Sequence, residues 1–171
     1  MSNFPFGKYV KLLYIPNLPE GIPEHGGMYA SMPDDVGEPV QLGPLRPRGD
    51  QDKQKWMFLT RDTGNGVNIL GYIRADDGVL PPDVGPAWTN NEPDPDSPIT
   101  TAMLAQASSY DMNIQRPYEN GWIISIQPTD PYTKLGVTRY IGAPNQTNVV
   151  GIAGVPVVPN ESFPGWFATR D

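Results

Sequence analysis

The sequence predicts an all-β fold and, within that class, a β-trefoil: short strands in three groups of four, six closing a barrel and three hairpins capping one end. Three observations carry this. The 171 residues include 21 Pro and 18 Gly, so turns are frequent. Five Phe, eight Tyr and four Trp are spread along the whole length, which sets the chain apart from a disordered one. A Trp opening a short apolar run, with a polar or Pro residue two places before it, recurs at Trp56-Met57-Phe58, Trp122-Ile123-Ile124 and Trp166-Phe167-Ala168. A β-sandwich accounts for strands and turns but predicts no threefold recurrence. The length suits a single domain with a substantial core, with pseudo-repeats expected at about 1–61, 62–127 and 128–171.

In the first unit, residues 8–15 read as a strand ended by Pro16-Asn17-Leu18-Pro19. A loop runs from Glu20 to Gly27, and residues 28–32 and 39–42 form the next two strands. The polar stretch 46–55 is a loop before the strand opened by Trp56. In the second unit, Asp62-Thr63-Gly64-Asn65-Gly66 is a turn and residues 67–73 a strand. The Pro-, Asp- and Gly-rich residues 74–98 form a loop well beyond the usual connection length, a kind that tends to be functional or disordered. Residues 101–107 are assigned to a strand by length and position. The third unit offers strands at 135–141, 148–152, 155–158 and 166–169. On this scheme the three Trp residues hold the last strands of the units, and their unequal spacing locates the insertion.

The formal net charge of −7 is unevenly placed. Residues 1–61 carry seven basic and seven acidic groups, residues 128–171 three of each, and residues 62–127 two basic against nine acidic. An acidic chain without a basic face does not suit nucleic acid. The acidic stretch reads as a solvated surface. No run approaches the length of a membrane span, and Met1–Gly7 lacks the basic and apolar regions of a signal peptide. A soluble, cytoplasmic monomer without a cofactor is expected.

Little here supports an enzyme. The absence of Cys excludes a thiol nucleophile, a disulfide framework and Cys-ligated zinc. A Ser–His–Asp triad would have to use the single histidine, His25, and no Gly-x-Ser-x-Gly elbow singles out a serine. The carboxylate pairs Asp34-Asp35, Asp76-Asp77 and Asp94/Asp96 read as solvated turn residues rather than as glycosidase or calcium sites. What remains is the loop Gly21–Met28. Its Gly26-Gly27 pair either permits a positive φ or lets a backbone without side chains pass along a narrow cleft in another protein. Pro19 and Pro23 would stiffen the approach and lower the ordering cost of binding.

At this loop the chain resembles the mycocypins, fungal (mushroom) cysteine-protease inhibitors, and among them the macrocypins. The matching residues are Gly26-Gly27-Met28-Tyr29-Ala30-Ser31, Trp122 with Ile126-Gln127-Pro128-x-Asp130, Val155-Pro156-Val157-Val158-Pro159-Asn160, and Pro164-x-Trp166-Phe167. They lie in all three thirds, in the family's order. The resemblance implies a β-trefoil that reversibly inhibits papain-like (cathepsin L-type) enzymes with two loops wedged into the active-site cleft. By position the first comprises Ile22, Pro23, Glu24, His25, Gly26, Gly27 and Met28. The second, within residues 43–55, comprises Arg46, Pro47, Arg48, Gly49 and Asp50. Some members inhibit legumain through an Asn in a further loop, here Arg74-Ala75-Asp76-Asp77-Gly78. The Asp at 76 or 77 departs from that pattern, because a pocket selecting a neutral amide disfavours a carboxylate. Relatives that inhibit trypsin place a basic residue there, which makes Arg74, and separately Arg48, the candidates for a serine-protease reading. A carbohydrate-binding trefoil is the third reading, since lectins share the fold.

Overall fold

The computed structural model describes residues 4–24, 26–63, 68–75, 85–129, 136–144 and 147–170. Of residues 60–63, 68–72, 74 and 75 it describes the backbone alone. The architecture is all-β, as expected. The strands are β1 (Tyr9–Leu18), β2 (Met28–Ser31), β3 (Gln41–Pro44), β4 (Trp56–Thr63), β5 (Asn68–Ala75) and β6 (Pro86–Thr89). They continue with β7 (Thr100–Met103), β8 (Tyr110–Tyr118), β9 (Gly121–Pro128), β10 (Val137–Gly142), β11 (Gly151–Pro156) and β12 (Phe163–Thr169).

Antiparallel pairing runs from β1 to β12, β12 to β9, β9 to β8, β8 to β5, β5 to β4, and from β4 back to β1. The remaining strands form the hairpins β2–β3, β6–β7 and β10–β11. The residues that immediately precede the second strand of each hairpin meet in a three-membered hydrogen-bonded ring. Val40 N–H donates to the Ile99 carbonyl at 2.8 Å, Ile99 N–H to Val150 at 2.8 Å, and Val150 N–H to Val40 at 2.9 Å. All three side chains are fully buried, so the ring satisfies backbone groups that water cannot reach.

The core departs from the expected recurrence. Trp56 on β4 and Trp166 on β12 are fully buried, and their indole N–H groups donate to Ala30 on β2 (2.9 Å) and Ile141 on β10 (3.0 Å). The residue that stands with them is Tyr110 on β8, whose hydroxyl donates to Asn90 Oδ1 at 2.7 Å. Tyr110 follows Trp56 by 54 positions and precedes Trp166 by 56, so the spacing is nearly even. Trp122 stands apart. It lies on β9, is only partly buried, and packs edge-on against Phe4 with ring centroids 5.5 Å apart.

The centre belongs to Trp88 on β6, within the segment expected to be loop. Its ring meets Trp56 at 5.5 Å, Trp166 at 6.0 Å and Tyr110 at 6.2 Å, in edge-to-face contacts. A four-residue strand opened by Pro86 gives no periodicity to detect, and Pro is tolerated at a strand's first residue.

Other boundaries also move. β1 continues through Pro16-Asn17-Leu18, with a register shift between Ile15 and Leu18. β3 lies two residues later than expected, and β4 runs through Thr63 into the expected turn, whose Gly64–Gly66 lie outside the described residues. Residues 101–107 divide into β7 and a 3-10 turn over Leu104–Gln106. β8 was not anticipated, because its alternation is broken by a bulge between Ile114 and Arg116. β11 merges residues that the sequence suggested were two strands.

Candidate functional site

The β2–β3 pairing brings the two expected loops together. Met28, where the β1–β2 loop ends, is in register with Pro44, where the β3–β4 segment begins. Both connections therefore leave the hairpin side by side. Between them and the β8–β9 turn lies an open groove of about 790 Å³, lined by Ile22, Pro23, Glu24, Gly26, Gly27, Pro44 and Leu45. Its floor and far wall are Leu13, Tyr29, Phe167, Tyr118, Glu119 and Asn120. A smaller hollow of about 470 Å³ adjoins it, sharing Lys11 and Leu45 and adding Arg48, Gly49, Gln51, Asp52 and Lys55. Ile22 and Leu45, one from each loop, are 53% and 45% exposed. Large apolar side chains presented this openly on adjacent loops are suited to burial against a partner.

The first loop is shaped by its glycines and an external clamp. Gly26 has φ +74°, a left-handed conformation that favours glycine, and an added Cβ there would meet nothing within 4 Å. Gly27 is constrained by space instead. A Cβ would lie 2.7 Å from Leu13 Cδ1 and 3.1 Å from the Glu24 carbonyl, which accepts the Gly27 N–H at 3.2 Å. At the other limb, Gly21 N–H donates to the Asn17 carbonyl at 2.7 Å. Arg116 on β8 donates from Nη1 to the Pro19 carbonyl at 2.7 Å and from Nη2 to the Gly21 carbonyl at 3.4 Å. His25 lies outside the described residues.

The second loop is fastened from inside. Gln54 is fully buried in a 3-10 turn over Asp52–Gln54. Its Oε1 accepts the Arg46 N–H at 2.9 Å, and its Nε2 donates to the Pro44 carbonyl at 2.9 Å and to Ser31 Oγ at 3.0 Å. Gln51 Nε2 donates to the Arg46 carbonyl at 2.8 Å. Asp50 N–H closes a turn on Pro47 at 2.9 Å, with Gly49 at φ +97°. Pro47, Arg48, Gly49 and Asp50 are all exposed at the tip.

Electrostatics at the site are mild. Burial pushes the Tyr29 phenol on the groove floor above its ordinary value of 10.0. Asp34 pairs with Lys53 at 2.6 Å, and the hydrogen bond and charge of that ammonium hold its carboxyl below its ordinary value. Among the described residues, no group of three or more His, Asp or Glu gathers to hold a metal ion.

The other expected site fares differently. Arg74 and Ala75 end β5, with Arg74 in register with Met57 and Ala87, and only their backbone is described. Asp76, Asp77 and Gly78 lie outside the described residues. The expected loop 74–98 is interrupted by a strand, since β6 occupies Pro86–Thr89.

Three fastening residues, Gln54, Gln51 and Arg116, were not identified from sequence. Gln54 had a signal, being the polar residue two places before Trp56, but that pattern spoke of strand type and not of a loop staple. Arg116 had none. A lone base on a strand reads as a solvated side chain, and its partners are 95 and 97 residues away.

No curated protein matches the chain. A family model described as peptidase inhibitor clitocypin matches residues 13–167, which span every strand except the first residues of β1 and the last of β12. The chain therefore belongs to the mycocypin family of peptidase inhibitors.

Proposed function

We propose that this protein reversibly inhibits papain-like, cathepsin L-type cysteine proteases by seating the loops 20–27 and 43–55 in the active-site cleft. The observation that carries this is the common groove: two loops from one hairpin, each offering an exposed apolar side chain, Ile22 and Leu45, on one face. Both are tied down beforehand by Arg116, Gln54 and Gln51, so little ordering entropy remains to be lost on docking. Gly26 carries no side chain to obstruct a narrow cleft. Its left-handed φ also departs from the extended backbone that a sheet-like substrate adopts, which disfavours cleavage. We read the fold beneath the loops as a β-trefoil of three four-strand units. The pairing that returns from β4 to β1, the three hairpins and the Val40–Ile99–Val150 ring support this.

The test is papain inhibition by the parent and by Gly26→Trp. Substituting Gly27 would disturb Leu13, whereas a side chain at Gly26 enters open space, at the smaller cost of holding a left-handed φ. A loss of about thirtyfold or more is expected, the scale of a lost interface hot spot. Undiminished inhibition with the fold retained would overturn the loop assignment.

A further inference from the structure

We infer that Arg116 is the positioning residue of the inhibitory β1–β2 loop, an inference that rests on the reading of that loop as protease-binding. Arg116 lies at the bulge in β8, where the register with β9 shifts between Ile114 and Arg116. A bulge re-aims the side chain that follows it, and here the guanidinium reaches out of the β8–β9 pair to a limb contributed by β1. Its two Nη atoms hold the carbonyls of Pro19 and Gly21, which flank one short stretch of that limb. A planar guanidinium gives each of the two acceptors its own nitrogen in a fixed fork, whereas an ammonium must serve both from a single nitrogen.

The position of the clamp gives it leverage. Gly21 cannot accept a side chain, since a Cβ would lie 2.4 Å from Asn17 Oδ1 and 2.6 Å from the Asn17 carbonyl. The limb is therefore tightly turned up to Gly21, and the exposed Ile22 follows at once. On the returning limb Gly27 is held against Leu13 by close approach. The described apex residues, 22–24 and 26, lie between these two anchors, and Arg116 is the anchor supplied by a distant strand. Residues 62–127 contain two basic groups among nine acidic ones, and this one is committed to backbone carbonyls.

Two readouts on the full-length protein test this, using Arg116→Ala and Arg116→Lys. Amide hydrogen exchange should rise in residues 20–24 of Arg116→Ala and stay at the parental level in the core strands. Papain inhibition should weaken by about tenfold, the equivalent of one charge-assisted hydrogen bond, mainly through faster dissociation. Arg116→Lys should fall between parent and Arg116→Ala in both readouts. Parental exchange in 20–24 of Arg116→Ala overturns the inference, as does a rise spread evenly over the molecule, which would mark a merely structural role. If the parent itself leaves papain uninhibited, the protease reading fails, and the exchange pattern alone then decides whether Arg116 positions the loop.

Discussion

The two loops that border the groove solve one problem by different means. The β3–β4 segment is fastened from within: the amide of Gln54, fully buried, reaches back 8 residues to Arg46 and 10 to Pro44. The β1–β2 loop has no such internal staple among the described residues. It is closed by glycine geometry at 26 and 27 and held from outside by an arginine almost a hundred residues later. A staple formed inside a loop accompanies its own segment in folding and is sealed from solvent. A clamp from another strand exists only once the tertiary structure has formed, and it remains open to water. The second loop should therefore resist disturbance until its buried amide is removed, and the first should respond by degrees.

The largest expected effect is on the internal staple. Gln54→Ala removes the partners of the partly buried Arg46 N–H and Pro44 carbonyl, and should cost about 3 kcal/mol in a denaturant titration, because it also empties a site that the Gln54 side chain fills completely out of reach of water. A cost under about 1 kcal/mol would show that water or another side chain replaces the amide. Next comes the glycine pair, which separates two kinds of constraint. Gly27→Ala forces a methyl against Leu13 and should cost about 2 kcal/mol by overpacking. Gly26→Ala meets no atom but must hold a left-handed φ, costing about 1 kcal/mol. If the order is reversed, backbone strain and not space limits the loop.

Smaller effects on stability should accompany larger ones on binding at the apolar tips. Ile22→Ala and Leu45→Ala should each change stability by less than about 0.5 kcal/mol while weakening papain inhibition about tenfold. Loss at only one of the two would show that a single loop makes the contact. The smallest change belongs to the exposed Asp34–Lys53 pair beside the second loop. The folded-state pKa of Asp34 is lowered, so its contribution is present above the ordinary carboxylate value of 3.8 and disappears as pH falls through the lower folded value. Asp34→Asn should lack this increment at neutral pH and converge with the parent in acid, with a difference that shrinks further in salt.

Buried aromatic chemistry offers a contrasting pH dependence far from the loops. Burial raises the Tyr110 phenol well above its ordinary value of 10.0. A raised folded-state pKa means stability that is intact below pH 10 and lost as pH climbs through the folded value. Tyr110→Phe should flatten that alkaline decline in thermal melts, and an unchanged slope would assign it to Tyr14 or Tyr29, which are also raised.

The sequence by itself determined the strand-rich class, because frequent Pro and Gly between short apolar runs permit little else. It also marked the two loops by composition, since Gly26-Gly27 and the polar stretch 46–55 stand out without reference to the fold. Membership of an inhibitor family was legible for the same reason, in residues such as Gly26–Ser31 that are contiguous in the chain. What tertiary structure decided were the relations between distant residues. Trp122 looked equivalent to Trp56 and Trp166, yet burial chose Tyr110 for that role and put Trp88, from an apparent loop, at the centre. A pattern in one dimension records which residues are apolar, not which of them converge. Arg116 is the clearest case: a charged side chain on a strand carries no local mark of its partners, and only the packing of β8 against the limb of β1 turns it into a clamp.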